Sequence, residues 1–276
     1  MRLGSKTISC EQLIKRVGSA DYLVVVDVRR RAAFEADDVT LPAALWRDHT
    51  RVENWLADMP MDRPVVVYCV HGHQVSRSAV SALRLHGVDA SILDGGIDAY
   101  RAAGGPVVRQ SPVAPADAAV SSRWVTRERP KIDRVACPWF IRRFVDARAE
   151  IHYVHADWVI GVAEELGGVP FDVPDVDFTH DGDRCSFDAF LDHFGVDDPS
   201  LRQLAEIVRG ADTARLDLAP QAAGLLAMAL GMSAANADDH ATMEKGFVLY
   251  DALYAWLRFA SDETHNWPVV AAGVAP

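Results

Sequence analysis

Cysteine is scarce in this sequence. There are four in 276 residues, Cys10, Cys69, Cys137 and Cys185, and no C-x-x-C pair among them. That spacing excludes a zinc ribbon, and scattered thiols fit a reducing compartment. Long apolar runs are missing as well. None reaches the roughly 18 residues of a membrane span, and the longest helical one, Ala219–Leu230, reads as a buried helix. Positive charge is in deficit: 28 Lys+Arg against 39 Asp+Glu leave a formal charge of −11. A chain that grips nucleic-acid backbone carries the opposite balance, so neither nucleic acid nor a membrane is an expected partner. The opening MRLGSKTISCEQL lacks an apolar signal core, and a cytoplasmic location is expected. No internal repeat or low-complexity segment occurs.

What is present is globular in composition, 50% hydrophobic and 24% charged. In the first hundred residues, apolar β-branched runs at Tyr22–Val28, Pro64–Cys69 and Ala90–Leu93 alternate with helical patterns at Cys10–Ser19, Ala32–Glu35, Val52–Ala57 and Ser76–Leu85. Near-continuous valine runs suit strands buried on both faces of a parallel sheet, so residues 1–108 are expected to form an α/β domain. Residues 109–122 lie in a Gly/Pro/Ser/Ala-rich stretch that reads as a flexible linker. Residues 123–276 read as a mainly helical, α+β second domain. A helix with Pro138 in its first turn, a strand over Glu150–His155 and a helix over Asp157–Leu166 come first. A helix closed by Gly210, then Ala219–Leu230 and Asp238–Phe259, complete it.

The first chemical constellation is Cys69. It ends an apolar strand, and the string VHGHQVSRSAV leads directly into a helix. Loop amides and the unpaired N–H groups of a helix start converge there, which lowers a thiol's pKa and cradles an anion on its sulfur. The loop is Val70, His71, Gly72, His73, Gln74 and Val75, with Gly72 free to take positive φ.

These residues resemble a known family. Asp27-Val28-Arg29 with Phe34, then Cys69, then Leu93-Asp94-Gly95-Gly96-Ile97 with Tyr100 and Pro106 resemble the ordered motifs of a rhodanese domain. The resemblance implies sulfurtransferase chemistry. Cys69 takes sulfane sulfur from a small-molecule donor as a persulfide and passes it to a thiol acceptor, with no cofactor required. It also implies that Asp27 and Arg29 form a buried supporting pair. One departure stands out: Gln74 occupies the position where the family's loop carries arginine. A neutral amide there weakens binding of doubly charged thiosulfate, and His71 and His73 are the nearest substitutes for the missing charge. The span from Cys69 to Gly87, which closes the helix, is also one residue longer than the family's; an extra residue in the loop enlarges the pocket, which keeps a phosphatase- or oxyanion-reductase-like alternative open.

The second half holds a further cluster of polar residues. His180 and Cys185 follow an acidic run, and His240 and Glu244 share one helix face at i, i+4. His180, Cys185, His240 and Glu244 form a candidate site for zinc, iron or manganese. Asp212 is a further candidate, equally readable as a cap, and Asp238 reads as a helix cap whether or not a metal binds. Arg127–Arg134 with Arg142-Arg143 reads as a solvated basic face or an oxyanion site for chromate or sulfate. The strings DRVACPWFIRRF, PFDV, IVRGAD and YDALY resemble the chromate-resistance domain found as the C-terminal part of chromate-responsive regulatory proteins. Three functions stay open: a sulfurtransferase in a chromate-resistance or oxidative-stress setting; a chromate- or metal-binding sensor with a non-catalytic rhodanese-like module; and an oxyanion reductase with Cys10, Cys137 or Cys185 as resolving thiol.

Overall fold

The structure, a computed structural model, describes residues 6–263. Its first unit runs β1 (Thr7–Ile8), α1 (Cys10–Ile14), β2 (Val24–Asp27), α2 (Arg31–Glu35), β3 (Val39–Thr40), β4 (Leu45–Trp46), α3 (Val52–Trp55), β5 (Val65–Tyr68), α4 (Gln74–Leu85), β6 (Ala90–Leu93), α5 (Gly96–Ala102) and β7 (Val108–Arg109). Five strands make a parallel sheet in the order β1-β6-β5-β2-β4. Val26 pairs with Val67, and Val67 with Ile92. Side chains alternate across the sheet, and both faces are covered. Val26, Val65 and Val67 enter one core cluster with α4, while Val25, Val66 and Tyr68 enter another with α1 and α5. That two-sided burial is why β2 and β5 read as unbroken valine runs. Each buried valine contributes roughly 1.5–3 kcal/mol.

The second unit has more strand than its helical pattern suggests. It holds β8 (Arg123–Arg127), α6 (Asp133–Phe140), β9 (Glu150–Val154), α7 (Val159–Leu166), β10 (Val169–Pro170), α8 (Ser186–Phe194), α9 (Pro199–Asp212), α10 (Ala222–Ala235) and α11 (Asp239–Phe259). The strands form a parallel sheet ordered β10-β8-β9. One face packs on α7 through Val125, Val159 and Ala163. On the other, Trp124 is fully buried against Phe178, Phe190 and Phe194.

Two details differ from the sequence expectation. Pro138 is not in the first turn of its helix, because α6 starts five residues earlier at Asp133 and places the proline inside. The Arg134 carbonyl, which a proline at this place cannot bond, accepts instead from the Tyr153 hydroxyl at 2.7 Å. Gly210 does not close α9 either. The helix runs on to Asp212, and the absent side chain lets α9 approach Ala222 of α10.

The segment 109–122 is irregular but is not free. Gln110 donates to the carbonyls of Phe34 and Asp37, the Trp46 N–H donates to the Ala116 carbonyl, and Ser111 lies 2.7 Å from His193. It is a docked strap, against the flexible linker its composition suggests. The Arg258 guanidinium on α11 reaches the carbonyls of Ile14 and Val17 in the first unit, adding a second tie. Among the described residues no helix is long and apolar enough to cross a membrane.

Candidate functional site

Cys69 stands at the carboxyl end of β5, the middle strand of the five, the edge where parallel sheets present their ligand sites. The chain then turns through 70–73 into α4. Gly72 has φ 70° and lies so close to the Leu93 carbonyl and Gly95 N–H that a Cβ would collide with both. Gly96 is pressed against the carbonyls of Cys69 and Val70 in the same way. The Ile97 N–H donates to the Cys69 carbonyl at 3.0 Å, and the Asp98 N–H to that of Val70 at 3.2 Å. The double glycine is therefore a clasp that fixes the cysteine loop onto α5.

The thiol is buried, which alone pushes its pKa up. The Ser76 hydroxyl, 3.4 Å from Sγ, and the backbone N–H groups of Ser76, His73 and His71 outweigh burial, and the net shift is downward. Ser76, which with His71, Gly72 and His73 makes up the sequence context of Cys69, stands just past the loop stretch 70–75 in the first turn of α4, where its hydroxyl reaches back to the strand end. Gln74 bonds Ser78 along the helix, and Val70 and Val75 are half-buried beside the loop. His71 is engaged by Asp98 at 2.9 Å, so its charge, when present, is neutralised locally, and His73 is exposed. Arg77 is also exposed.

Asp27 and Arg29 are fully buried and bonded to each other at 2.6 Å. The Tyr68 hydroxyl donates to Asp27 at 2.9 Å and in turn accepts the Leu41 N–H. Arg29 also donates to Asp37 and to the Val39 carbonyl. This pair anchors the residue next to Cys69 and does not face the thiol loop.

In the second unit the predicted ligands separate. His180 joins Asp133, Asp172 and Asp212: its Nε2 lies 3.1 Å from Asp212 and 3.5 Å from both other carboxylates. Asp133 opens α6 and Asp212 ends α9. Cys185 is buried at the start of α8, and burial holds its thiol protonated. His240 stacks edge-on to Tyr153, and Glu244 pairs with Arg142 at 2.7 Å. Neither His240 nor Glu244 joins His180. Burial and the neighbouring Asp172 charge raise Asp133, and burial with Asp133 and Asp172 nearby pushes Asp212 up to about 7. The Asp133 and Asp172 carboxylates push His180 up to about 10. Asp172 is lowered, because contacts from His180, Arg127 and Ser186 outweigh its burial.

The basic stretch is a solvated face only in part: Arg129 and Lys131 are exposed, while its other arginines are engaged by carboxylates. Arg127 and Arg134 both pair with Asp172, and Arg143 pairs with Asp251. Cys137 is fully buried beneath it, and burial drives its pKa up. Cys10 donates to the Asp94 carbonyl and is also raised, by burial and by Asp94. All four cysteines are unpaired.

A thiol at the end of a central parallel strand, cupped by loop amides and a helix start, defines a rhodanese-like α/β domain. Residues 9–103 match the Rhodanese-like domain model, and residues 124–257 match the model of ChrB, C-terminal domain. The thiosulfate sulfurtransferase GlpE of Pseudomonas syringae pv. syringae (strain B728a) is 34% identical over 79 residues, 28% of this chain and 72% of that protein. The chain belongs to the rhodanese family, and its second half is similar to the ChrB C-terminal domain. Protein ChrB of Cupriavidus metallidurans (strain CH34) is 36% identical over 134 residues, 48% of this chain but only 40% of that protein. A rhodanese-related protein from Thermoplasma volcanium of known crystal structure is 24% identical, with a TM-score of 0.33 over 37% of this chain and 97% of its own.

Proposed function

We propose that the chain is a thiol sulfurtransferase that carries sulfur as a persulfide on Cys69, in a chromate-resistance or oxidative-stress setting. The observation that carries this reading is the cradle: one hydroxyl and three backbone N–H groups directed at a single buried sulfur. In the resting thiol, the S–H donates to Ser76 Oγ while the Ser76 hydroxyl donates to the His73 carbonyl at 3.2 Å. When the thiol proton leaves to solvent, the hydroxyl turns to the thiolate. The thiolate attacks the outer sulfur of a sulfane donor, a new S–S bond forms, and the donor's own S–S bond breaks with the electron pair leaving on the donor fragment. The cradle then holds the charged outer sulfur of the persulfide. Attack by an acceptor thiolate on that sulfur reverses the change and restores Cys69.

The donor follows from the loop. With Gln74 in place of a cation, and His71 already engaged by Asp98, little in the loop rewards a second negative charge. Thiol-bound persulfides are favoured over thiosulfate. The setting is supported by the ChrB C-terminal domain in the same chain. The burial of Cys137 and Cys185 speaks against their use as resolving thiols.

Intact-protein mass after exposure to thiosulfate, and separately to glutathione persulfide, tests the proposal. One added sulfur, larger in yield with the persulfide and absent in Cys69→Ser, is expected. No gain with either donor, or an equal gain in the variant, would overturn it.

A further inference from the structure

The carboxylate cluster around His180 is used by nothing above. Four side chains from three places in the chain converge there: Asp133 at the start of α6, Asp172 and His180 in the stretch before α8, and Asp212 at the end of α9. As a set of hydrogen bonds the arrangement is over-supplied with acceptors. Nε2 carries at most one proton, and one oxygen can accept it well, yet three carboxylates stand within 3.5 Å. Asp172 is otherwise satisfied, by Arg127, Arg134 and the Ser186 hydroxyl. Asp133 is not. Its side chain is 1% exposed, one oxygen accepts the Ser186 N–H at 2.6 Å, and the other is buried with no partner among the described residues. An unpaired buried carboxylate oxygen is costly to desolvate, and the fold retains it.

We propose that Asp133, His180 and Asp212, with Asp172 alongside, bind one divalent first-row metal ion, manganese, iron or zinc. Ligand atoms of Asp133, His180 and Asp212 all lie within 4.8 Å of one another. Bonds of roughly 2.0–2.2 Å place neighbouring ligand atoms about 3.0–3.5 Å apart, and the three distances to Nε2 are 3.1, 3.5 and 3.5 Å. One imidazole among carboxylates suits these borderline-hard ions better than a soft thiophilic one. The carboxyl end of α9 adds its partial negative charge at Asp212. Access is from the half-exposed His180 side, while Asp133 forms the closed floor. The ligand set replaces the one expected from sequence: Cys185, His240 and Glu244 are absent from it, and three aspartates take their place. The proposal is independent of sulfur transfer at Cys69.

The test is titration of the chelator-stripped full chain with Mn2+, the free ion being counted from its EPR signal. Saturation at one equivalent is expected. His180→Ala and Asp212→Asn, both at the open edge, should each weaken binding by about tenfold or more, and the rise in Tm produced by Mn2+ should vanish in both. His240→Ala and Cys69→Ser should bind as the parent does. With Zn2+, X-ray absorption should show nitrogen and oxygen neighbours and no sulfur at about 2.3 Å. Absence of saturable binding of either ion up to millimolar concentration would overturn the proposal. So would binding that survives both edge variants, or a zinc–sulfur shell.

Discussion

The Tyr153 hydroxyl of β9 donates to the Arg134 carbonyl of α6 at 2.7 Å, at the one carbonyl that Pro138 leaves without its helical partner. A proline inside a helix ordinarily breaks it. Here a side chain from the adjacent sheet supplies the missing donor, and α6 continues past the proline with Asp133 held in place at its start. Tyr153→Phe keeps the ring and removes the donor. It is expected to lower stability by about 1–2 kcal/mol, measured as a lower urea midpoint with an unchanged slope. If Mn2+ stabilises the parent, that increment should shrink in the variant.

The lowered pKa of Cys69 makes a prediction with a definite sign. Its thiolate should form at lower pH than that of a free cysteine, so alkylation by iodoacetamide should reach half its limiting rate at lower pH than for free cysteine. Ser76→Ala removes a hydrogen bond to the charged form but leaves the burial. The midpoint should move up, and the rate at neutral pH should fall by roughly tenfold. Linkage runs the same way. A group whose folded pKa lies below its unfolded one stabilises the fold above the unfolded value, and that stability is lost as pH falls through the folded value. Ser76→Ala should therefore narrow the stability difference between pH 9.5 and 7, compared by denaturant titration.

Much of the first unit was legible because its signals are local. Val24–Asp27 and Val65–Tyr68 are valine runs on the middle of a sheet, and Cys69 follows the second directly. The strand Arg123–Arg127 was not legible: an arginine at each end disguises the buried Trp124 and Val125 between them. The helix pair His240 and Glu244 shows the limit of spacing rules. An i, i+4 interval says that two side chains share a face, but not what opposes it. Arg142 opposes Glu244, and the Tyr153 ring opposes His240. The cluster that does form draws on positions 133, 172, 180 and 212, brought together only by the packing of α6, α8 and α9. The visible hint was His180 within an acidic run, together with Asp212 as an outlying candidate.

Gly96 and Gly104 both have positive φ, 63° and 76°, but opposite surroundings. Gly104 has open space where a Cβ would go. At Gly96 a Cβ would overlap the carbonyls of Cys69 and Val70. Gly104→Ala should cost only the left-handed backbone penalty, about 1–2 kcal/mol, and leave sulfur loading intact. Gly96→Ala carries the same penalty and must also push the cysteine loop off α5. Its loading rate at Cys69 should collapse at temperatures where far-UV circular dichroism still reports a folded chain. Equal loading in the two variants would show that the double-glycine clasp does not position the thiol.

Gln74 is the place where donor choice can be reversed. It is the first residue of α4, and its amide bonds Ser78 along the helix. An arginine there can reach over the loop mouth and offer two N–H groups to a sulfonate. Gln74→Arg is expected to lower KM for thiosulfate by about tenfold, the worth of one charge-assisted contact near 1.5 kcal/mol. KM for glutathione persulfide should change much less, because its reacting sulfur brings no sulfonate. The Cys69 alkylation midpoint separates this from a general effect. A cation acting through the thiolate would lower the midpoint and speed both donors together, whereas a cation acting on the donor's second charge moves thiosulfate alone. Steady-state kinetics with both donors, alongside the alkylation profile, distinguishes the two.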